Sequence, residues 1–228
     1  FSTLPVGDFP VTEIQEFDRE VALPGKELAD LIEKTSFAMA SQDVRYYLNG
    51  ILLEVSPSQI NVVATDGHRL AWSCCKLKTD FTDEKIIIPR KSALELQKLL
   101  NLYPENVNIS FNSNQLKVFS DDYTFISKLI EGSYPDYEKV FPKGTEQKLK
   151  ANKSLVQTAL NRAAVLSNEK YRGVKFILDQ DNLKICANNP SKESAEEEVL
   201  VEYAGDSFEI GFNISYVQES LSVIPNNE

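Results

Sequence analysis

The stretch SKLIEGSYPDYEKVFP, residues 127–142, has a shorter relative at the start of the chain, STLPVGDFP at residues 2–10. Ser127, Leu129, Gly132, Tyr134 and Pro135 fall in register with Ser2, Leu4, Gly7, Phe9 and Pro10, at an offset of 125 residues. That offset is too long for a solenoid unit and about right for a whole domain. The stretch therefore reads as a junction, and the chain as part of an array of similar domains.

Working outward from the junction, the same order of elements occurs on both sides. Pro5 and Pro10 exclude a helix in the acidic first twenty residues. A short strand is predicted over 20–23, then a helix over 26–40 with Leu28, Leu31, Ile32, Thr35, Ala38 and Met39 on one stripe. Residues 41–43 break it. Strands follow over 46–54, 60–65, 69–77 and 86–88, then a helix over about 90–102 with Ala93, Leu96, Leu100 and Tyr103 on one stripe, then strands over 107–111, 115–120 and 123–129. Past the junction the pattern predicts a strand over 149–151, a helix over 153–166, strands over 174–178, 183–187, 199–203 and 208–212, and a helix over 213–223.

Ser41 matches Ser167 at an offset of 126, while Val63 matches Cys186 and Pro89 matches Phe212 at 123, so one shortening of about three residues reconciles the copies. The second copy stops where the first still has three strands to come. The spacing predicts some forty further residues after it, and the junction at 2–10 predicts a repeat before it, three in all. Helices that recur at fixed places among about eight short strands define an α+β fold, with two helices per repeat packed on antiparallel sheets. Stacked repeats align equivalent helices on one surface. If that surface closes into a ring, the helices line one side and the strands form the rim.

With 42% hydrophobic and 25% charged residues over 228 positions, the chain has ordinary globular composition and room for one large or two normal domains. No apolar run is long enough to span a membrane. Cys74 and Cys75 point to opposite faces of a strand, and the third cysteine, Cys186, leaves an odd count, which favours a reducing, cytoplasmic setting. The Asn-x-Ser matches at Asn108, Asn152 and Asn213 are then chance.

The formal net charge of −10 argues against a nucleic-acid binder when taken alone. Its distribution is uneven. Residues 143–175 hold eight basic and two acidic side chains, and residues 191–210 hold one basic and seven acidic. One basic and one acidic face would produce this, and so would two solvated surfaces with accidental bias. Arg90, Lys91 and Lys98 on the second helix and Lys153 and Arg162 on the third suit phosphates without reading bases. Arg45-Tyr46-Tyr47 sets a cation beside two aromatics that could stack on bases or turn into the core.

No catalytic constellation stands out. His68 is the only histidine, and no second histidine or paired cysteines complete a metal site beside Asp66-Gly67-His68. No serine sits on a glycine elbow, and Pro24-Gly25-Lys26 lacks the rest of a phosphate loop. No catalytic residue, metal or cofactor is expected. A hydrolase or transferase using Asp66 and His68, and a protein-interaction module that never touches DNA, are two readings that these residues leave open.

Four separated motifs, ATDGHRLA at 64–71, SQDVRYYLNG at 41–50, the junction at 127–142 and LSNEKYRGV at 166–174, closely resemble the bacterial DNA polymerase III beta subunit family, the sliding clamps. The likeness covers essentially the whole chain. It implies a DNA-clamp fold with residues 1–11 ending a first domain, 12–135 forming the second and 136–228 a shortened third. It further implies a non-catalytic processivity factor, a head-to-tail homodimeric ring of six domains around duplex DNA. Topological tethering keeps a partner's effective concentration high at the primer, and sliding needs weak, sequence-blind contacts. An acidic exterior keeps DNA off the outside of the hole.

The resemblance also implies a pocket, between the second and third domains, for a short linear motif with apolar anchors and a glutamine. Such motifs are carried by the polymerase III alpha subunit, the clamp loader, translesion polymerases and repair proteins. Matched motif by motif, its walls are Leu48, Thr65, Gly67, His68, Arg69, Leu70, Pro135, Lys139, Val140, Tyr171, Asn213 and Tyr216. Lys139 stands where arginine is frequent in the family and Tyr171 where phenylalanine is frequent, and the family's Met-Pro-Met-Arg-Leu-like tail has no counterpart in these residues. The implied DNA-side residues are Gln42, Arg45, Tyr46, Tyr47, Arg90 and Lys91. With the ring-forming surfaces lying in missing parts, the chain by itself is expected to be monomeric, and its junction well ordered.

Overall fold

The computed structural model describes residues 3–8, 17, 20–78, 82–144, 147–168 and 170–227. The chain divides into two units, Phe1–Asp66 with Ala71–Tyr134, and Gly67–Leu70 with Pro135–Glu228. Ser2, Phe9 and Pro10 of the junction copy, the expected boundary at 11–12, and Glu146 and Glu169 of the basic run lie outside the described residues.

The first unit holds β1 (Val21–Pro24), α1 (Gly25–Ser36), β2 (Gly50–Val55), β3 (Gln59–Thr65), β4 (Leu70–Lys76), β5 (Glu84–Pro89), α2 (Arg90–Leu102), β6 (Asn106–Phe111), β7 (Gln115–Phe119) and β8 (Thr124–Lys128). Two four-stranded sheets result, ordered β1-β6-β7-β8 and β4-β3-β2-β5. Ile51, Leu53 and Val55 of β2, Ile60, Val62 and Ala64 of β3, and Ile86 and Ile88 of β5 join the α1 and α2 stripes in one core. The opposite face is also covered, since Leu52, Val63 and Ile87 are fully buried. The segment after β8 contributes to that cover. The Ile130 amide donates to the Ile87 carbonyl at 2.9 Å, and the Ile130 Cδ1 methyl lies 3.0 Å from where a Cβ on Gly50 would stand.

The second unit holds α3 (Lys153–Val165), β9 (Gly173–Asp179), β10 (Asn182–Asn188), β11 (Ser194–Leu200), β12 (Phe208–Asn213) and α4 (Ile214–Val223). Its sheet is ordered β11-β10-β9-β12, which repeats β4-β3-β2-β5 strand for strand. Val174, Phe176, Leu178, Leu183 and Ile185 alternate toward α3 and form a second core with Val156, Ala159, Leu160 and Ala163.

Several boundaries differ from those the sequence suggests. The first helix ends at Ser36 rather than at residue 40. The Thr35 hydroxyl donates to the Leu31 carbonyl at 2.8 Å, and Ala38 and Met39 close tight turns onto Thr35 and Ser36, so both are buried without being helical. The strand expected over 46–54 begins only at Gly50, because Tyr46–Leu48 is a 3-10 turn. Val6–Asp8 forms another such turn on the Pro5 carbonyl, so the prolines exclude only a longer helix. The strand expected over 199–203 lies instead at Ser194–Leu200, through the acidic run. Here Glu196 is opposite Cys186 and pairs with Lys184 at 2.6 Å, while Glu197 turns to the other face and pairs with Arg162.

That pairing also revises the picture of one basic and one acidic face. Arg162 with Glu197, Lys175 with Glu209 and Lys150 with Glu202 join the basic run to the acidic run within the same unit. The Arg162 guanidinium holds the Glu197 carboxyl below the usual range. Arg162 is thus occupied by a carboxylate, and Lys153 donates to the Ile224 carbonyl.

Candidate functional site

The loop between α1 and β2 is held by two short polar side chains. Asn49 accepts the Asp43 amide at 2.9 Å and returns a bond to the Asp43 carbonyl at 2.8 Å. Asp43 in turn grips Arg45 in a fork, Nε at 3.0 Å and Nη2 at 2.8 Å. Gln42 adopts a left-handed backbone at φ 58°, which turns the chain out of α1. Tyr46 is 57% exposed, and Tyr47 meets it edge-on at 5.8 Å. The first amide of α2, that of Arg90, donates to the Asn49 carbonyl at 2.9 Å. The Arg90 guanidinium donates to the Met39 carbonyl at 3.1 Å. The fold therefore gathers the elements bearing Gln42, Arg45, Tyr46, Tyr47, Arg90 and Lys91. Arg90 braces the turn that follows α1, Lys91 is exposed, and Arg45 is neutralised by Asp43.

The chain after β8 crosses the first unit as a strap. Leu129 donates to the Asn114 carbonyl at 2.8 Å and Ile130 to that of Ile87. At Gly132 the backbone takes φ +129°, and a Cβ there would stand 3.5 Å from the Tyr46 hydroxyl. That backbone region strongly favours glycine. Gly132→Ala is expected to destabilise the first unit by about 1–2 kcal/mol, read as a lower urea midpoint with unchanged slope. An unchanged midpoint would show that the strap is not held.

The strap ends at Tyr134, whose hydroxyl accepts the Thr65 amide at 3.0 Å. Burial pushes the Tyr134 phenol up to about 12, and the Thr65 amide opposes that rise. The folded chain therefore keeps this proton more tightly than the unfolded chain. Stability from this residue is fully present below pH 10, the ordinary value, and is lost as pH rises toward 12. Between about pH 9 and about pH 11 the expected loss is roughly 1.4 kcal/mol, about half of the full effect, and it is absent in Tyr134→Phe. Urea unfolding of both proteins at about pH 9 and about pH 11 checks it, since parallel losses would contradict the assignment.

In the second unit Gly67 turns the chain at φ 87°. His68 stacks on Tyr216 at 6.2 Å, and the Arg69 guanidinium lies 4.4 Å over the same ring while pairing with Glu219. Tyr216 is presented by the first turn of α4, which Asn213 caps by accepting the Ser215 amide at 2.9 Å. Asn168 accepts the amides of Lys170 and Tyr171 at 2.9 Å each, leaving the Tyr171 ring 68% exposed. Tyr171 also lines a cleft of about 700 Å³ with Lys175, Cys186 and Glu196. Pro135 and Val140 are exposed. Lys139 pairs with Asp136 at 2.7 Å, and that carboxylate raises its pKa. Leu70 is half-buried at the start of β4. Of the expected pocket residues in the first unit, Thr65 is half-buried and Leu48 is only 2% exposed. His68, Arg69 and Tyr216 thus form one cluster, with Asn213 and Tyr171 adjoining its helix.

Sequence reasoning missed Asp43, Asn49, Tyr134 and Glu219. Asx-turn spacing offered a signal for Asp43. Nothing in the spacing joins Tyr134 to Thr65 or Glu219 to Arg69. Among the described residues no group of three His, Cys, Asp or Glu side chains could hold a metal ion. No helix among them is long and apolar enough to cross a membrane.

Residues 22–136 match the family model for the DNA polymerase III beta subunit, central domain, and residues 138–228 that for its C-terminal domain. The chain belongs to the DNA polymerase III beta-subunit family. It is 46% identical over 230 residues to the beta sliding clamp of Pseudomonas putida KT2440, covering all of this chain and 62% of that one. To the beta sliding clamp of Escherichia coli K12 it is 43% identical over 223 residues, 98% of this chain and 61% of the relative. The crystal structure of the DNA polymerase III subunit beta from Pseudomonas aeruginosa superposes with a TM-score of 0.96 at 45% identity, over 99% of this chain and 62% of that one. A sliding clamp of the same species bound to griselimycin gives 0.92, again at 45% identity and the same coverage. The chain thus spans about 62% of the length of the relatives it matches. The α+β class expected from the repeat, and the clamp fold that the resemblance implies, are the fold found.

Proposed function

We propose that this chain works as the central and C-terminal part of a sliding clamp, a non-catalytic processivity factor of DNA replication. The reading rests on one observation above others: 43–46% identity to beta sliding clamps along essentially the whole chain. In this reading residues 1–11 end a first domain, 12–135 are the second and 136–228 belong to the third. The full-length protein forms a cytoplasmic homodimeric ring around duplex DNA, without cofactor. Gln42, Arg45, Tyr46, Tyr47, Arg90 and Lys91 face the DNA. Arg45 is neutralised by Asp43 and Arg90 is turned onto the Met39 carbonyl, which suits loose, sequence-independent contact, because strong phosphate pairing would oppose sliding.

Linear motifs of the polymerase III alpha subunit, the clamp loader, translesion polymerases and repair proteins bind at the His68–Arg69–Tyr216 cluster. Leu48, Thr65, Gly67, Leu70, Pro135, Lys139, Val140, Tyr171 and Asn213 complete that site. Exposed aromatic rings and a guanidinium suit apolar anchors and a glutamine amide. The test is topological. Full-length protein loaded on nicked circular DNA should stay bound in high salt and be released when the circle is linearised. Dissociation from the intact circle at the same rate would overturn the reading and favour an interaction module that does not encircle DNA.

A further inference from the structure

The backbone that enters Gly67 is held by side chains from two distant parts of the first unit. The Thr65 amide donates to the Tyr134 hydroxyl at 3.0 Å, across 69 residues of sequence. The Asp66 carbonyl accepts from Arg45 Nη2 at 3.2 Å. In the pairing of β3 with β2, opposed residues run from Ile60 with Val55 to Val63 with Leu52. Thr65 is the last residue of β3 and lies past that run, so on the side of β2 the ladder no longer dictates its path.

We propose that the Tyr134 hydroxyl is a positioning residue for partner recognition: by accepting the Thr65 amide it fixes the path on which Gly67, His68, Arg69 and Leu70 meet a linear motif with apolar anchors and a glutamine. The inference rests on the clamp reading above and adds a residue to it. Tyr134 can do this because it is itself anchored. Four residues upstream, Ile130 is bonded to β5, and the intervening turn at Gly132 packs against Tyr46. The ring is half-buried, so the hydroxyl is set by the sheet frame rather than by a freely rotating surface side chain. A phenylalanine ring would fill the same space but could not accept the amide. The loop would then sample more conformers, and a partner that selects one of them would bind more weakly by the fraction lost.

The experiment is Tyr134→Phe in the full-length protein. The probe is a fluorescein-labelled linear peptide with one glutamine and leucine and phenylalanine anchors, followed by anisotropy. Amide hydrogen exchange is measured at Thr65, with Val118 of the core as reference. Binding is expected to weaken about three- to tenfold, the size of one lost hydrogen bond, with faster exchange at Thr65 and none at Val118. Equal binding by both proteins overturns the inference while leaving the clamp reading intact. So does weaker binding without faster exchange at Thr65, because the loss would then arise elsewhere. Absence of binding by the unmodified protein, with DNA retention intact, overturns the peptide-site assignment and the inference with it. His68→Ala, expected to weaken binding without altering Thr65 exchange, separates loss of a contact from loss of positioning.

Discussion

Alanine at Leu96 is expected to lower the stability of the first unit by about 2–5 kcal/mol. Leu96 is 0% exposed and sits in the α2 stripe with Ala93 and Leu100, where α2 packs on α1. Removing its three terminal carbons forfeits their burial and leaves a cavity that the two helices can only partly close, because the sheet beneath fixes their spacing. Domains of this size are held by about 5–15 kcal/mol, so one such change consumes a large share. Urea unfolding followed by circular dichroism should show the midpoint fall. A loss under about 1 kcal/mol would mean that this stripe is not tightly packed. Leu94, one of the partly buried residues at the margin of the same core, should cost clearly less when replaced by alanine.

Tyr216→Ala is expected to weaken binding of a glutamine-bearing apolar peptide by about thirtyfold, the usual scale for an aromatic hot spot. The ring carries two neighbours. His68 stacks on one side and the Arg69 guanidinium lies over it, so truncation removes an apolar wall and the surface that orients both. Arg69 would keep its ion pair with Glu219, whose carboxylate is half-exposed and which is therefore a weak constraint. Tyr216→Phe keeps the wall and should bind within about twofold of the original. Fluorescence anisotropy on the three proteins decides the matter, and a loss below about threefold for the alanine variant would remove Tyr216 from the site.

The sequence carried the repeat, and with it the α+β class, because the recurrence at 2–10 and 127–142 is long-range information that needs no geometry. The α2 bounds were legible, since Pro89 ends the strand and starts the helix, but the apolar stripe was carried one residue too far, to Tyr103, which caps the helix from outside it. The end of α1 was not legible. Ala38 and Met39 continue the helical spacing, yet they reach the core through turns, and periodicity reports burial rather than hydrogen bonding. β11 was misplaced because three successive glutamates suppress any propensity signal. They are tolerated there because Lys184 and Arg162 answer them from opposite faces. The candidate site was legible only through resemblance. Its physical supports, Asp43 under Arg45 and Tyr134 under Thr65, depend on tertiary approach, and side chains 69 residues apart leave no mark in local spacing.

The acidic composition of β11 has a consequence for solubility. β11 stands at the border of its sheet, with β10 as its neighbour. A bordering strand offers its outward backbone groups as a template on which another molecule can stack, the usual first step toward aggregates. Glu196, Glu197 and Glu198 line this strand with carboxylates on both faces, two of them answered by Lys184 and Arg162 of the same unit. Two such borders brought together would oppose carboxylate to carboxylate, so contact is penalised before any backbone bond can form. Replacing these glutamates by glutamine should lift that protection and let molecules adhere border to border while each remains folded.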